Sequence, residues 1–345
     1  MPVPTCRFDR ALAAGLLAAC LIAQGRVRAQ GTAQEAQQNP PPPAGQSKDQ
    51  PTQAQQPYKV QVSLVNQFVT VRDKHNAIIG DLKKEDFRLY EDGKEQKVEF
   101  FAKELNLPLT MGLLVDTSGS MERMLPVEQT TASSFLERVM KKGDLTCLIT
   151  FDQDADLLTD FTDNIRQLER GLSKARINEP YAPVTPGTVP NRAPRGTVFY
   201  EAIFDVSREK LASEVGRKAI VVLTDAVDEG SRVRLEEAIE AAERVDAVVH
   251  ILLIADPRYS WGQGSGAGVA HRIAEDTGGR MIEVKSEKNL DAAFDQIIEE
   301  LRSQYAIGYY PTNSARNGQF RKIKIEVARQ DVKVLARKGY YAPKN

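Results

Sequence analysis

The stretch from Leu109 to Met121, LTMGLLVDTSGSM, constrains this chain more than any other. Leu109 to Val115 is an almost unbroken apolar run, which is typical of a strand buried on both faces of a sheet. Asp116, Ser118 and Ser120 then stand at alternate positions in a turn-rich segment. Such a turn can direct one carboxylate and two hydroxyls at one point, and hard oxygen ligands of this kind suit Mg²⁺.

Strand–helix alternation surrounds this stretch, from Leu107 to Leu301. Apolar runs such as Lys218 to Asp225 and Ala247 to Ile254 indicate buried strands, whereas the stripe from Leu290 to Leu301 has helical periodicity. Alternating β and α units predict an α/β fold, a doubly wound, mostly parallel, Rossmann-like sheet with helices on both faces.

Both flanks of this region alternate with period two, which predicts antiparallel strands. The segment 58–101 is expected to form about four short strands. Near the C-terminus, Phe320 to Val327 is predicted to pair with Val332 to Ala336 across Gln330-Asp331. Each end has too few apolar residues to form a hydrophobic core by itself. We therefore expect both ends to join in one small antiparallel β-domain, with the α/β domain inserted between them.

The N-terminus is typical of an export signal. Basic residues precede Ala11 to Ala23, an apolar run too short to span a bilayer. Val27-Arg28-Ala29 offers a cleavage site, while Leu17-Ala18-Ala19-Cys20 resembles a bacterial lipobox. We expect a periplasmic or secreted protein, or alternatively a lipoprotein anchored through Cys20, and membrane association only in the second case.

These patterns predict a division of the chain into five segments. They are a signal peptide (1–29), a disordered Pro/Gln-rich tether (30–56), the first part of the β-domain (57–106), the α/β domain (107–301) and the second part of the β-domain (302–345). Beyond the leader the chain keeps Cys147, which lies in a strand-like run and is expected to be a buried, inert thiol.

Charge and histidine content exclude several function classes. Lys plus Arg total 46 and Asp plus Glu total 47, so no basic field favours nucleic acid. The three histidines lie far apart without metal-ligand spacing, which argues against a zinc site. No histidine is placed as a base for Ser118 or Ser120, and a metal-assisted hydrolase would also lack a recognisable base. We therefore expect a protein that is not an enzyme.

Two further residues are predicted to join the first three. Ligands in an open α/β sheet gather at the carboxyl ends of the strands, near a topological switch point. Thr197 follows Arg195-Gly196 at the start of a predicted helix, and Asp225 ends the strand KAIVVLTD. The candidate metal ligands, which come from three loops, are Asp116, Ser118, Ser120, Thr197 and Asp225. D-x-S-x-S alone fits a helix cap and turn equally well. Asp228 and Glu229 are candidates for residues that support the ligands, although a solvated acidic loop is the favoured interpretation.

This combination resembles the von Willebrand factor A (VWA) domain over about 107–301. The resemblance rests on D-x-S-x-S after an apolar strand, a later Gly-Thr at a helix start and a strand that ends Thr-Asp. It implies a metal-ion-dependent adhesion site (MIDAS) in which the five residues hold Mg²⁺, with Mn²⁺ or Ca²⁺ as alternatives. Ala226 and Arg195 stand where glycine is frequent in the family.

The flanks resemble the VWFA-related family described from acidobacteria. The segments that carry this wider resemblance are DFRLYEDGKEQ, YAIGYYPTN, FRKIKIEV and RKGYYAP. It covers nearly the whole chain beyond the leader and implies little known biochemistry.

The expected function is binding of a protein partner. A carboxylate of the partner would replace water on the ion, so that the metal joins two proteins in adhesion or in envelope protein assembly. Alternatively, the metal only staples three loops and the β-domain mediates interactions. The Gly-rich loop after Ile254 lacks the lysine of a phosphate loop. Its Tyr259 and Trp261 are candidate partner contacts, although Trp261 can equally pack on the domain's own helices. The partner and the oligomeric state stay open.

Overall fold

A computed structural model describes residues 64–103, 107–177, 196–254 and 266–344. Its strands are β1 (Val65–Asp73), β2 (Phe87–Glu91), β3 (Lys94–Gln96), β4 (Val98–Lys103), β5 (Leu109–Asp116), β6 (Leu145–Phe151), β7 (Ala155–Thr162), β8 (Arg217–Thr224), β9 (Ala247–Ile254), β10 (Met281–Val284), β11 (Tyr305–Tyr309), β12 (Phe320–Val327), β13 (Val332–Leu335) and β14 (Gly339–Tyr341). Its α-helices are α1 (Leu125–Val139), α2 (Ile165–Leu172), α3 (Phe199–Asp205), α4 (Leu235–Arg244), α5 (Ala267–Thr277) and α6 (Glu287–Arg302).

Shorter helical turns connect some of these elements. Lys84–Asp86 and Gly119–Met121 are 3₁₀ turns, and Val206–Leu211 continues α3 as a π-helical segment. Within the described ranges, no helix combines the length and apolar character needed to cross a membrane.

The central sheet has six strands in the order β10-β9-β8-β5-β6-β7. All neighbours pair in parallel except β7, which runs antiparallel to β6 at one edge. Every residue of β5 and β9 is buried, as the continuous apolar runs predict. The predicted doubly wound α/β sheet is confirmed.

Helices cover both faces of this sheet because each carries an apolar stripe at helical spacing. One face packs against α1, α2 and α6, where Phe135 and Phe294 stack with ring centroids 4.5 Å apart. The other face packs against α3, α4 and α5, through residues such as Ile203, Ala238 and Ile273. Cys147 in β6 is free and fully buried, and burial raises the pKa of its thiol to about 12, as expected for an inert cysteine.

Strands from both ends of the chain combine in two antiparallel four-stranded sheets, as predicted. Their orders are β13-β1-β11-β4 and β14-β12-β2-β3, and the two sheets share one apolar cluster. The predicted β12–β13 hairpin is wrong. β12 pairs with β14 through Phe320 to Lys322 and with β2 through Ile323 to Val327, and β13 pairs with β1 instead, Val71 opposite Val334. The segment boundaries given above stay a prediction.

A buried charged cluster joins β1 to the central unit; we term it the junction cluster. Arg72 in β1 donates from Nε to Glu300 Oε1 in α6 at 2.9 Å, and Arg280 lies 3.1 Å from the same oxygen. His250 in β9 places Nδ1 3.4 Å from Glu300 Oε2. Arg72 and Glu300 are each about 1% exposed, so these two opposite charges compensate each other without solvent. His250 is equally buried, and burial lowers its pKa and disfavours its charged form.

Candidate metal centre

The candidate ligands lie at a topological switch point of the central sheet. From β5 the chain continues to β6 on one side, whereas β8, β9 and β10 lie on the other side. The loops after β5 and β8 therefore diverge and leave a crevice between them, where ligands of such sheets usually bind. Asp116 is the last residue of β5, and Asp225 directly follows β8.

The carboxylate of Asp116 is fully buried and held by two hydrogen bonds. Oδ1 accepts from the Ser118 amide at 2.9 Å, and Oδ2 accepts from Thr224 Oγ1 at 2.6 Å. Thr224 Oγ1 in turn accepts from the Ala226 amide at 2.9 Å. Thr224 thus orients Asp116, a role that the sequence analysis missed. The sequence could have indicated this role, because Thr224 directly precedes the candidate ligand Asp225 at the end of β8.

The two serines lie side by side. Ser118 Oγ and Ser120 Oγ are 3.0 Å apart, which is hydrogen-bonding distance. The 3₁₀ turn Gly119–Met121 produces this proximity, because the Met121 amide donates to Ser118 O at 3.0 Å and closes the chain on itself. The segment thus forms a tight turn and presents two hydroxyls together, so its turn and ligand interpretations are compatible.

Asp225 lies in a turn with unusual backbone geometry. Its Oδ1 accepts from the Val227 amide at 3.1 Å, and Ala226 has a φ of 59°, in the left-handed region. This φ explains why glycine suits the position after the aspartate. Gly266, at the start of α5, contacts the same turn. A Cβ at Gly266 would lie 2.3 Å from Ala226 O and 2.5 Å from Asp225 O, so only glycine fits there.

Thr197 lies just before α3, which begins at Phe199 and not at Thr197 as predicted. Its carbonyl accepts from the amides of Glu229 and Gly230, both at 3.0 Å. The next amide, that of Val198, donates to Asp152 O at 2.7 Å, directly after β6. Because the last residue of β6 pairs with Asp116, these bonds tie the Thr197 loop to the same rim. In the described part of the chain, no hydrogen bond joins the Thr197 side chain to the other four candidates.

Of the two interpretations of Asp228, its contacts favour support of the candidate ligands over a solvated acidic loop. It is half-buried, and its Oδ1 accepts from the Tyr200 amide at 3.0 Å and from Ser231 Oγ at 2.5 Å. These bonds fix the start of α3 beside Thr197, whereas Glu229 is exposed. Asp228 therefore supports the rim through the backbone.

Carboxyl groups crowd this rim, and none of them is paired with a cationic side chain among the described residues. Burial, and then the charge of Asp225, raise the pKa of Asp116 to about 7. Glu128 in α1 is fully buried, neither of its carboxyl oxygens has a hydrogen-bond partner, and burial followed by Asp116 raises its pKa well above the usual value. Within the described ranges, none of these three acids forms an ion pair with lysine or arginine. Glu128 was not predicted from the sequence, although a glutamate within the apolar stripe of Leu125, Ala132 and Phe135 is an unusual residue that could have indicated it.

This donor set fits a divalent cation. Two carboxylates and three hydroxyls are hard oxygen ligands. Asp116 and Glu128 are buried without a cationic partner among the described residues, and a bound positive ion would lower the free-energy cost of burying their negative charge. Among the described residues, no group of three or more His, Cys, Asp or Glu side chains could hold a metal. A site here therefore depends on the serine and threonine hydroxyls. Tyr259 and Trp261 lie outside the described residues, as do the predicted leader and tether.

Comparison with models of known protein families finds no match. A search of curated proteins finds none either. Solved structures similar to this chain do include proteins of the predicted VWA type. A von Willebrand factor type A protein from Catenulispora acidiphila is 9% identical, with 84% of this chain and 76% of that chain covered and a TM-score of 0.44.

Two further solved structures show the same range of similarity. BatB from Bacteroides thetaiotaomicron is 22% identical over 56% of this chain and 100% of that chain, with a TM-score of 0.42. Proximal thread matrix protein 1 from the mussel byssus, with a zinc-occupied MIDAS motif, is 13% identical over 58% of this chain and 49% of its own length, with a TM-score of 0.43. Similarity this distant says nothing about which ion or partner this chain binds.

Proposed function

We propose that this protein is an exported binding protein of the VWA kind. It would bind an acidic residue of a protein partner through Mg²⁺ held by Asp116, Ser118, Ser120, Thr197 and Asp225. One observation carries the proposal: Asp116 is buried, oriented by two hydrogen bonds and close enough to Asp225 and Glu128 for mutual repulsion. Among the residues that the structure describes, no cationic side chain pairs with these acids. Such an arrangement favours a bound cation.

The five residues would have different roles in metal coordination, according to their chemistry. Asp116 would supply negative charge in a fixed orientation, because Thr224 and the Ser118 amide hold both of its oxygens. Ser118 and Ser120 would supply neutral oxygens, and Thr197 and Asp225 would contribute directly or through water. When bound, the ion supplies positive charge and exchangeable coordination positions that a carboxylate of the partner can occupy.

Backbone hydrogen bonds connect the loops directly, which favours a binding role for the ion over a purely structural one. Thr197 is bonded to Glu229 and Gly230, and Val198 is bonded to the end of β6. If the ion only stapled the loops, EDTA would lower the melting temperature sharply and no metal-dependent partner would exist. In that case the β-domain would remain the candidate interaction surface.

Metal binding itself can be tested by thermal unfolding with MgCl₂, MnCl₂ or CaCl₂ against EDTA. At an ion concentration of 100 times Kd, we expect stabilisation of about 2.7 kcal/mol in the wild type. Asp116→Ala should abolish this gain, while Asp163→Ala, an exposed aspartate before α2, should keep it. Equal stabilisation of Asp116→Ala and the wild type would exclude this site.

Partner binding is tested by pull-down from envelope extract in Mg²⁺ and in EDTA. We expect a partner that is captured only with Mg²⁺ and is lost with Asp116→Ala. Capture that survives both EDTA and this substitution would contradict the proposal. Trp261→Ala and Tyr259→Ala test whether the loop after β9 contributes to the contact.

Export is proposed from the N-terminal sequence alone. Expression in a bacterial host followed by N-terminal sequencing should find a mature start at Gln30. Incorporation of labelled palmitate, lost with Cys20→Ser, would instead assign the lipoprotein form.

A further inference from the structure

A second candidate site lies away from the metal rim. A cavity of about 370 Å³ lies where the end of α4 meets the antiparallel sheets. Four arginines line this arginine cavity, namely Arg244, Arg316, Arg321 and Arg337. Such a concentration of guanidinium groups around one small space needs an explanation, because like charges repel unless each is compensated.

Two of the arginines are compensated by neighbouring acids. Arg321 donates to Tyr340 Oη at 3.0 Å and lies 3.4 Å from Glu91 Oε1. Arg337 is paired with Asp246 and also donates to Asn66 O at 2.6 Å. Both guanidinium groups are held in place by contacts within the chain, and they form part of the wall of the cavity.

The third arginine is fixed against an aromatic ring. Arg244 Nε donates to Glu240 Oε1 at 2.7 Å, one helical turn earlier in α4. Its guanidinium carbon lies 4.1 Å from the centre of the Tyr341 ring, a cation–π contact. The Tyr341 ring therefore supplies the cavity with an apolar face whose orientation is set.

Arg316 differs from the other three. Its Nε is buried and has no hydrogen-bond partner, and in the described part of the chain Arg316 forms no ion pair. A buried donor on a charged group without a partner is costly, and an oxyanion is the group that a guanidinium binds best. Arg316 thus supplies the uncompensated positive charge of the cavity.

Two acids, Glu243 and Asp246, also line the arginine cavity, and neither presents a full negative charge that would repel a bound anion. Asp246 is neutralised by Arg337. Glu243 is 5% exposed, and burial, together with repulsion from Asp276, raises its pKa to about 8. This shift lowers the negative charge that Glu243 presents to the cavity.

We propose that the arginine cavity binds a small ligand that carries a phosphate or a carboxylate, with the oxyanion against Arg316 and the body of the ligand against Tyr341. The volume is in the lower part of the range for small-molecule sites. Arginine recognises both oxyanions through the same paired donors, so the two classes are separated by experiment. This site is independent of the proposed metal centre.

Isothermal titration calorimetry in EDTA at low salt tests the proposal with phenyl phosphate and benzoate, and with benzamide as the neutral analogue. We expect saturable one-to-one binding of at least one anion and none of benzamide. Stronger binding of phenyl phosphate would assign a phosphate ligand, and stronger binding of benzoate a carboxylate ligand.

Variants locate the binding. Arg316→Gln should weaken the preferred anion about tenfold or more, the loss expected for a charge-assisted hydrogen bond. Arg316→Lys should bind with intermediate affinity, because it keeps the charge but lacks Nε. Arg166→Gln, at an exposed arginine in α2, should bind like the wild type. Absence of saturable anion binding, equal affinity of Arg316→Gln and the wild type, or equal weakening by Arg166→Gln would each overturn the proposal.

Discussion

The metal rim and the junction cluster both bury charged side chains, but within the described residues only the junction cluster supplies opposite charges. At the junction, Glu300 is bonded to Arg72 and lies near Arg280. At the rim, Asp116 faces the charge of Asp225, and Glu128 faces the charge of Asp116. The difference separates two uses of buried charge. A cluster that contains both signs of charge stabilises the folded chain, whereas a cluster of one sign indicates a bound ligand of opposite charge.

The largest expected effect comes from breaking the junction cluster. Arg72→Leu removes the main partner of buried Glu300, so we expect the free energy of unfolding to fall by about 3–5 kcal/mol, measured by urea denaturation. Arg329→Leu is the matched control, because Arg329 pairs with Asp81 at the surface and should cost at most about 1 kcal/mol. Equal losses in the two variants would show that the junction cluster has no special role.

The rim should respond in the opposite direction. Glu128→Leu removes a buried carboxyl group without a hydrogen-bond partner, so we expect the metal-free protein to gain about 1–3 kcal/mol of stability in urea with EDTA. Glu137→Leu, at an exposed position of the same helix, should change stability by less than about 0.5 kcal/mol. A clear loss of stability in Glu128→Leu would mean that Glu128 is compensated after all.

A smaller effect is expected for the residue that orients Asp116. Thr224→Val removes the hydrogen bond to Asp116 Oδ2 and leaves the Ala226 amide without its acceptor, which should cost about 1–2 kcal/mol in the absence of metal. If Thr224 also positions the ligand, the stabilisation by Mg²⁺ should shrink in the same variant. Thr130→Val, at an exposed position in α1, serves as the control. Unchanged Mg²⁺ stabilisation in Thr224→Val would limit Thr224 to a structural role.

The pH dependence of the junction cluster gives the smallest effect. The pKa of His250 lies below 6.5, because burial disfavours the imidazolium; Glu300 opposes this shift, and Arg280 and Arg72 add to it. The unfolded chain therefore takes up the proton first as pH falls. The contribution of neutral His250 to stability is complete above pH 6.5 and declines below it, by at most about 1.4 kcal/mol per pH unit.

His250→Gln should accordingly lose less stability than the wild type between pH 7 and pH 5, measured by urea denaturation at each pH. His271→Gln, at an exposed histidine in α5, is the control and should follow the wild type. Identical pH profiles for His250→Gln and the wild type would contradict the assignment.

Sequence patterns predicted much of the fold because buried positions are occupied by apolar residues, and their spacing is visible in the sequence. The apolar run of β5 specified a doubly buried strand, and period-two alternation at both ends specified the antiparallel sheets. They could not predict strand partners at those ends. β13 has the right pattern to pair with β12, yet it pairs with β1, because pairing depends on which strands the fold brings side by side.

The candidate site shows the same division. D-x-S-x-S, Thr197 and Asp225 were found from motif and spacing, and the resemblance to VWA domains followed from them. Gly266 was not foreseen as part of the site, because its importance depends on how closely α5 approaches the turn after β8. The same holds for Thr224, whose hydroxyl reaches Asp116 across neighbouring strands.

By itself, the sequence determined the doubly wound α/β unit, the antiparallel strands at both ends and the oxygen-rich loops at the carboxyl ends of two buried strands. These properties depend on local composition and periodicity. Only the tertiary structure decided which buried charges are compensated. Arg72 meets Glu300 across 228 positions of sequence, whereas Glu128 meets no partner at all in the described chain. Whether a buried charge is satisfied depends on groups brought close by folding, and no sequence spacing records that.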